Sequence, residues 1–399
     1  MKVLHVIPSV SPALGGPTQV VLNLVKSLRG WGVDAEIVTT NDNGATLLDV
    51  PLNKKIDYEE VPVWFLPRFS PPLKEYIFSP AITKWLWQNI RNYDILDNHY
   101  LFSYASTCAG AIARSQKVPY TVRSMGQLAP WALEQSRLKK QIYSFLIERH
   151  NLNCAAAIHC TSPGEVEDVK KLGIKTPTIT LPLGVNQPVY WPNAKQIVCE
   201  TYGIPTATPI VLFLSRLHYK KRPDLLIESL GKLAEQKYDF HLILAGSGET
   251  EYLNYLKGLV SSFGLSERTS FPGFVMGKDK ELLLQGSDIF VLPSFSENFG
   301  IAVAEAMSYG LPPIVTPDIQ IAPDVASAKA GLVVAGEIEP LADAIAQLLN
   351  SAQQRQNMGE NGKSLVKHLY SWSAIASHLK YVYSYIIDKQ TIPNHITFP

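Results

Sequence analysis

Glu297 and Glu305 lie eight residues apart in the stretch Pro293-Ser-Phe-Ser-Glu-Asn-Phe-Gly-Ile-Ala-Val-Ala-Glu-Ala-Met-Ser-Tyr-Gly310, which reads as a strand end, a loop and a helix. With the helix starting near Phe299 and Gly300, its first free N–H groups and the positive end of its dipole suit a phosphate or sugar oxygen. A glycine at that point lets a ligand come close. Deeper in the helix, the carboxylate of Glu305 can accept hydrogen bonds from the two adjacent hydroxyls of a ribose. On spacing alone, the same stretch also describes an amphipathic helix with one solvated glutamate.

A second cluster, Phe213-Leu-Ser-Arg-Leu-His-Tyr-Lys-Lys-Arg-Pro-Asp-Leu-Leu-Ile227, places Arg216 and Lys221 across a strand-to-helix loop. A guanidinium fork and a compact ammonium converging on a diphosphate would stabilise the charge that grows on a leaving group. The bland reading of Lys220, Lys221 and Arg222 is a solvated basic cluster. Gly15 and Gly16 precede a helix, where paired glycines let the main chain approach a ligand or simply make a turn. His99 ends the strand-like Asp94-Ile-Leu-Asp-Asn-His-Tyr100. It suits acid–base work near neutrality or a satisfied structural role.

Metal-ligand spacing is missing: Asp-x-Asp occurs nowhere, and the nine histidines are scattered. Gly246-Ser-Gly248 follows a strand, but Glu251 stands where a dinucleotide fingerprint needs its third glycine. That counts against a dehydrogenase.

These loops need strands to hold them, and short apolar runs alternating with amphipathic segments supply the pattern of a parallel sheet covered by helices. One series runs through Lys2–Val10, Ala35–Thr40, Val61–Leu66, Ile95–His99, Tyr120–Ser124, Ala156–Cys160 and Thr178–Leu181. A second begins afresh at Ile210–Ser215 and continues through Leu242–Ala245, Ser270–Phe274, Ile289–Pro293, Pro313–Thr316 and Gly331–Val334. Val185–Pro209, rich in proline and without a period, is the expected linker. Helices are expected over Val20–Arg29, Leu138–His150 and, at the end, Tyr370–Asp388.

With 399 residues the chain exceeds one ordinary core, and two domains are the first expectation. The 36 basic and 35 acidic residues leave a net charge of +1, which gives no global reason for a nucleic-acid partner. Four cysteines without Cys-x-x-Cys spacing fit reduced thiols in a cytoplasmic protein. The apolar N-terminus, broken by Pro8 and Pro12, reads as a strand rather than a signal peptide, and no run reaches the length of a membrane span. Arg137-Leu-Lys-Lys140 and Arg149 give a basic helix face that is either solvated or able to meet anionic lipid at the inner face of a membrane.

The 293–310 stretch strongly resembles the donor-binding motif of the family 4 retaining glycosyltransferases of the GT-B fold, where two glutamates stand at this separation with Asn-Phe-Gly common between them. The resemblance covers essentially the whole chain. It implies an α/β fold of two Rossmann-like doubly wound domains facing a central cleft. Residues 1–187 would form an acceptor domain completed by a C-terminal helix at about 373–399, and 188–372 a nucleotide-sugar donor domain. Glu305 would bind the ribose, and Glu297 the donor-sugar hydroxyls beside the reacting carbon, with main-chain groups of Asn298, Phe299, Gly300 and Ile301 nearby. Arg216 and Lys221 match the family's Arg and Lys, whereas Arg222 stands where a glycine is usual, which leaves the course of the local backbone open. Gly15 and Gly16 look like the first-loop glycines between donor phosphate and acceptor. His99 matches a histidine that approaches the donor sugar, and Phe274 and Val275 fall in the loop whose backbone reads the base. Val122–Ala132 is similar to the form found among capsule and exopolysaccharide enzymes, with Met125 where His or Arg is common and Gly126 and Gln127 as acceptor-side contacts. Pro182-Leu-Gly-Val-Asn186 resembles the family's Pro-Asn-Gly-Val-Asp.

The function implied is retaining, metal-independent transfer of a hexose in polysaccharide biosynthesis, with no cofactor. The donor would be a UDP-sugar, with glucose first on family frequency and GDP-mannose second. The acceptor would be a glycan or a lipid-linked saccharide. A nucleotide-sugar epimerase or phosphorylase on the same fold would instead convert its substrate without an added sugar acceptor. A non-catalytic sugar-nucleotide-binding module would bind tightly without turnover.

Overall fold

Strands buried on both faces of a parallel sheet need side chains that are apolar on both faces, which is why the expected strands are continuous apolar runs. The computed structural model describes residues 1–12, 16–69, 77–128, 147–388, 390, 393 and 395–397. It places a strand at each expected run and divides the chain into two units, Met1–Gly184 with Trp372–Pro399, and Val185–Ser371.

In the first unit the strands of the large sheet include β1 Lys2–Ser9, β2 Asp34–Thr40, β3 Lys55–Tyr58, β4 Val61–Leu66, β5 Ile95–His99, β6 Tyr120–Arg123, β7 Ala157–Cys160 and β8 Thr178–Thr180. The chain returns at its end to add His395–Thr397 beside β8. From that terminal strand the sheet order is β8, β7, β6, β5, β1, β2, β4, β3, parallel throughout except for the β3–β4 pair. Side chains alternate between the two faces. On one face Val3, Ile7, Ile95, Ala157 and Ile179 pack with Leu24 and Val25 of helix Gly16–Gly30 and with Ile375, Leu379 and Val382 of helix Trp372–Ile387. On the other, Leu4, Val6, Leu96, Val122 and Ile158 pack with helices Pro80–Asn89 and Tyr104–Gln116. Ser79 and Ser103 start those two helices by accepting the N–H of the third residue on.

The second unit orders its six parallel strands β11 Thr269–Gly273, β10 His241–Ala245, β9 Ile210–Leu214, β12 Ile289–Leu292, β13 Pro313–Val315 and β14 Leu332–Val333. The direction of winding reverses between β9 and β12, and between β1 and β5 in the first unit. Ligands of open α/β sheets bind at such switch points, outside the carboxyl ends of the strands. The loops that carry Arg216, Lys221 and Glu297 leave β9 and β12 there.

Two sequence expectations are corrected. Val185–Pro209 is not a linker but part of the second unit. It contains helix Ala194–Tyr202, which packs on helix Gly277–Gly286, and Trp191 donates its indole N–H to Glu281 at 2.7 Å. Secondly, strand β3 and the terminal strand His395–Thr397 escape the reading of apolar runs, because both are short and the exposed Lys55 and Asp57 dilute the signal in β3. Leu138–His150 lies mostly outside the described residues, with helix Arg149–Asn153 at its end.

Candidate functional site

The loop after β9 in the second unit is held by backbone to the loops after β12 and β10. Phe295 N–H donates to Lys220 O at 2.9 Å, and Leu217 N–H to Ser247 O at 2.8 Å. Glycine permits this closeness. A Cβ on Gly246 would sit 1.8 Å from Ser215 O, and one on Gly248 2.2 Å from Leu217 O. Gly246-Ser-Gly248 therefore serves the packing of two strand-end loops.

Against this frame Lys221 Nζ is bonded to Glu297 Oε1, which also accepts from Ser294 Oγ at 2.8 Å. The Lys221 and Glu297 side chains are only 13% and 15% exposed, so the pair is shielded yet reachable. Glu297 is fixed through its backbone, which bridges Ile319. Arg216 is exposed and, among the described residues, makes neither a hydrogen bond nor an ion pair. Burial lowers the Lys220 pKa; Glu297 opposes that, while Lys221 and Arg216 add to it, as expected where like charges crowd one loop.

Helix Ile301–Ser308 starts one residue beyond Gly300, whose φ of +95° is a glycine conformation. A Cβ there would also meet Ile319 Cγ2 at 2.8 Å. The helix start at Ile301 is exposed and Asn298 is half-buried, while Phe299 is buried edge-on against the Tyr370 ring. Glu305, half-buried in the helix, accepts from Lys280 Nζ at 2.7 Å. Phe274 and Val275 follow directly after β11, with Phe274 71% exposed and free to meet a flat ligand. Arg222 has a φ of +54°, the left-handed conformation that a glycine takes without strain. Its guanidinium donates to Gly336 O at 2.7 Å and lies 4.5 Å over the Phe295 ring.

In the first unit the register aligns His5 with Asp97 and His99 with Arg123, and Arg123 in turn with His159. All five point to the face covered by helix Trp372–Ile387 and form one buried polar island. Arg123 Nε donates to Asp97 Oδ2 at 2.8 Å, Thr121 to Oδ1 at 3.0 Å, and the Tyr383 hydroxyl to Oδ2. His5 Nδ1 and His99 Nε2 are 2.9 Å apart.

His99 is therefore not at an edge. It is fully buried, and burial first of all holds its pKa well below the usual histidine range. The same cause pushes His5 down to about 4 and His159 to about 3. Burial pushes the Asp97 carboxyl upward, but Arg123, His99, His5 and Tyr383 together hold it well below its ordinary value. His5, Asp97 and His99 have candidate ligand atoms within 4.8 Å of one another. A cation fits poorly there, because Arg123 and Tyr383 already occupy Asp97 Oδ2 and the guanidinium repels positive charge. The arrangement holds neutral imidazoles around one ion pair, and contact between His99 and a sugar is not what this geometry supports.

Gly126 and Gln127 sit on the loop after β6, but their polar groups are turned to the fold. Gly126 N–H donates to Glu165, whose carboxylate also takes Ser124 Oγ and the Thr161 N–H, and Gln127 Oε1 accepts from Leu101 N–H at 2.6 Å. Met125, at φ +47°, carries no ionic group into that turn. Gly16 opens its helix exposed, with nothing within 4 Å of a Cβ, so the fold itself does not demand a glycine there. Gly15 and the basic Arg137–Lys140 lie outside the described residues. Among the described residues no helix is long and apolar enough to cross a membrane.

Sequence reading does not single out Asp97, Ser294, Lys280, Glu165 or Tyr383. Only Asp97 and Ser294 leave a local trace, two residues before His99 and three before Glu297.

Residues 15–184 match the family described as "Glycosyl transferase 4-like domain", and 196–365 that described as "Glycosyl transferases group 1". A D-inositol 3-phosphate glycosyltransferase of Corynebacterium diphtheriae is 23% identical, with 95% of this chain and 92% of the relative covered. Mannosylfructose-phosphate synthase of Agrobacterium fabrum is 28% identical over 76% of this chain and 71% of its own. Among solved structures, HepE of Anabaena in complex with UDP is 20% identical, with 96% of this chain and 100% of that chain covered at a TM-score of 0.75. Sucrose-phosphate synthase of Thermosynechococcus elongatus is 20% identical, covering 98% and 100%, at a TM-score of 0.70. With one glycosyltransferase family model matched on each unit and two Rossmann-like domains carrying them, the chain is indicated to be a family 4-like glycosyltransferase of the GT-B fold.

Proposed function

We propose that the chain transfers a hexose, glucose in the first instance, from a UDP-sugar to a glycan or lipid-linked saccharide in polysaccharide assembly, with retention of anomeric configuration and without a metal ion. The observation that carries this reading is the shielded Lys221–Glu297 pair at the β9–β12 switch point, with the exposed cation Arg216 on the same loop and the start of helix Ile301–Ser308 beyond it. As the bond between the anomeric carbon and the diphosphate oxygen breaks, its electron pair leaves with the diphosphate. Arg216, Lys221 and the helix N–H groups stabilise that charge because they are fixed before it forms. The acceptor hydroxyl bonds to the anomeric carbon from the same face, and its proton passes to the departing phosphate. Glu297, held by Lys221 and Ser294, faces the sugar hydroxyls. Glu305 takes the ribose. HepE structures with UDP and with UDP-glucose support the choice of donor.

A second reading changes the small-molecule partners. The names D-inositol 3-phosphate glycosyltransferase, mannosylfructose-phosphate synthase and sucrose-phosphate synthase share a phosphorylated polyol or sugar, which favours such an acceptor. The second of those names also keeps GDP-mannose as an alternative donor.

The test is nucleotide release from UDP-glucose, other UDP-sugars and GDP-mannose, with saccharides and phosphorylated polyols as acceptors. Arg216→Ala is expected to slow turnover about 100-fold or more. Turnover abolished by a chelator and restored by magnesium or manganese would overturn metal independence. An epimer or a sugar phosphate made without acceptor would replace transfer by one of the other chemistries.

A further inference from the structure

Lys280 stands in the first turn of helix Gly277–Gly286, just after the exposed loop that carries Phe274 and Met276. Its ammonium meets Glu305 Oε1 at 2.7 Å and so ties the segment after β11 to the helix after β12. The two side chains are 32% and 27% exposed. Ion pairs this open add little to stability. The helix that bears Lys280 is anchored instead by buried Leu282, Leu283 and Leu284.

What the contact does is restrict Glu305. An unrestrained glutamate samples several rotamers and must lose that freedom when it takes a ligand. With Oε1 engaged by a charge-assisted bond, Oε2 is left without a hydrogen-bond partner among the described residues.

We infer that Lys280 is a positioning residue of the nucleotide site: it holds the Glu305 carboxylate so that its second oxygen is presented to a ribose hydroxyl. The inference rests on the reading of Glu305 as the ribose ligand. It separates the diphosphate, met by Arg216 and Lys221, from the ribose, met by Glu305 under the control of Lys280.

Calorimetric titration of the full chain with UDP, and with 2′,3′-dideoxyuridine diphosphate as the probe lacking the hydroxyls, tests it. Lys280→Met is expected to weaken UDP about tenfold, with Lys280→Arg within about twofold of the parent. In the Glu305→Gln background, Lys280→Met should cost no further affinity for UDP, and neither substitution should change affinity for the dideoxy probe. Unchanged or tighter UDP binding by Lys280→Met would overturn the inference, as would an equal loss with and without Glu305. If the parent chain bound neither UDP nor GDP, the proposed function would fall and this inference with it, an outcome visible before any variant is made.

Discussion

Asp97 and Glu297 each gather cations and hydroxyls beside a switch point, one on strand β5 and the other in the loop after β12, yet their surroundings differ. Asp97 and its histidine partners have fully buried side chains, capped by Tyr383 from a helix 286 residues away. Glu297 and Lys221 keep 15% and 13% of their side chains in contact with solvent. A carboxylate within a strand, on a face that a helix covers, is part of the core. One placed a few residues past the strand end is open to a ligand. Equivalent topology thus yields a buried polar island in the first unit and an ion pair within reach of solvent in the second.

The largest expected effect breaks the buried side of this comparison. Asp97→Asn leaves the Arg123 guanidinium without its counter-charge, and chemical denaturation should show a loss of about 3–5 kcal/mol. Activity, if the protein still folds, should fall no more than the folded fraction does. Lys221→Ala inverts the pattern. Its melting temperature should stay close to the parent's while turnover, followed by nucleotide release, falls about 100- to 1,000-fold. Near-normal turnover would remove Lys221 from the leaving-group role.

Acid sharpens the contrast without mutation. His5, His99 and His159 have folded pKa values below the ordinary value, so below about pH 6.5 the unfolded chain binds more protons than the folded one. Their contribution is whole above that pH and is lost as pH falls toward about 4, the value for His5. Denaturation at pH 7.5 and pH 5 should differ by at least about 2 kcal/mol, the first unit failing first. An unchanged stability over that range would mean the island is already open to protons. The smallest effect is expected at Arg222. Arg222→Gly relieves a left-handed φ but gives up the Gly336 and Phe295 contacts, so stability should move by less than about 1 kcal/mol, as a thermal melt would show.

The strands were legible because β9, β12 and, after His241, β10 are apolar runs that match their fully buried environment. The placement of Glu297 in a loop, of Gly300 at a helix start and of Glu305 inside that helix was legible as well, since a strand end, a loop and a helix start are local features. Which of the two roles His99 takes was not legible, because its environment is assembled from strands β1, β6 and β7 and from Tyr383, none of them close to it in sequence. Lys280 gave no signal for a like reason: nothing near residue 280 announces that its ammonium will meet a carboxylate 25 positions on.

The amino-acid order alone determined the alternation of strand and helix, the two sheets, and which loops carry charge past a strand end, because backbone geometry and apolar patterning act over a few residues. Only the tertiary structure decided which of those charged groups stay within reach of a ligand. Exposure depends on what the rest of the chain packs over a side chain, and in the first unit the segment that covers Asp97 and His99 comes from the far end of the sequence.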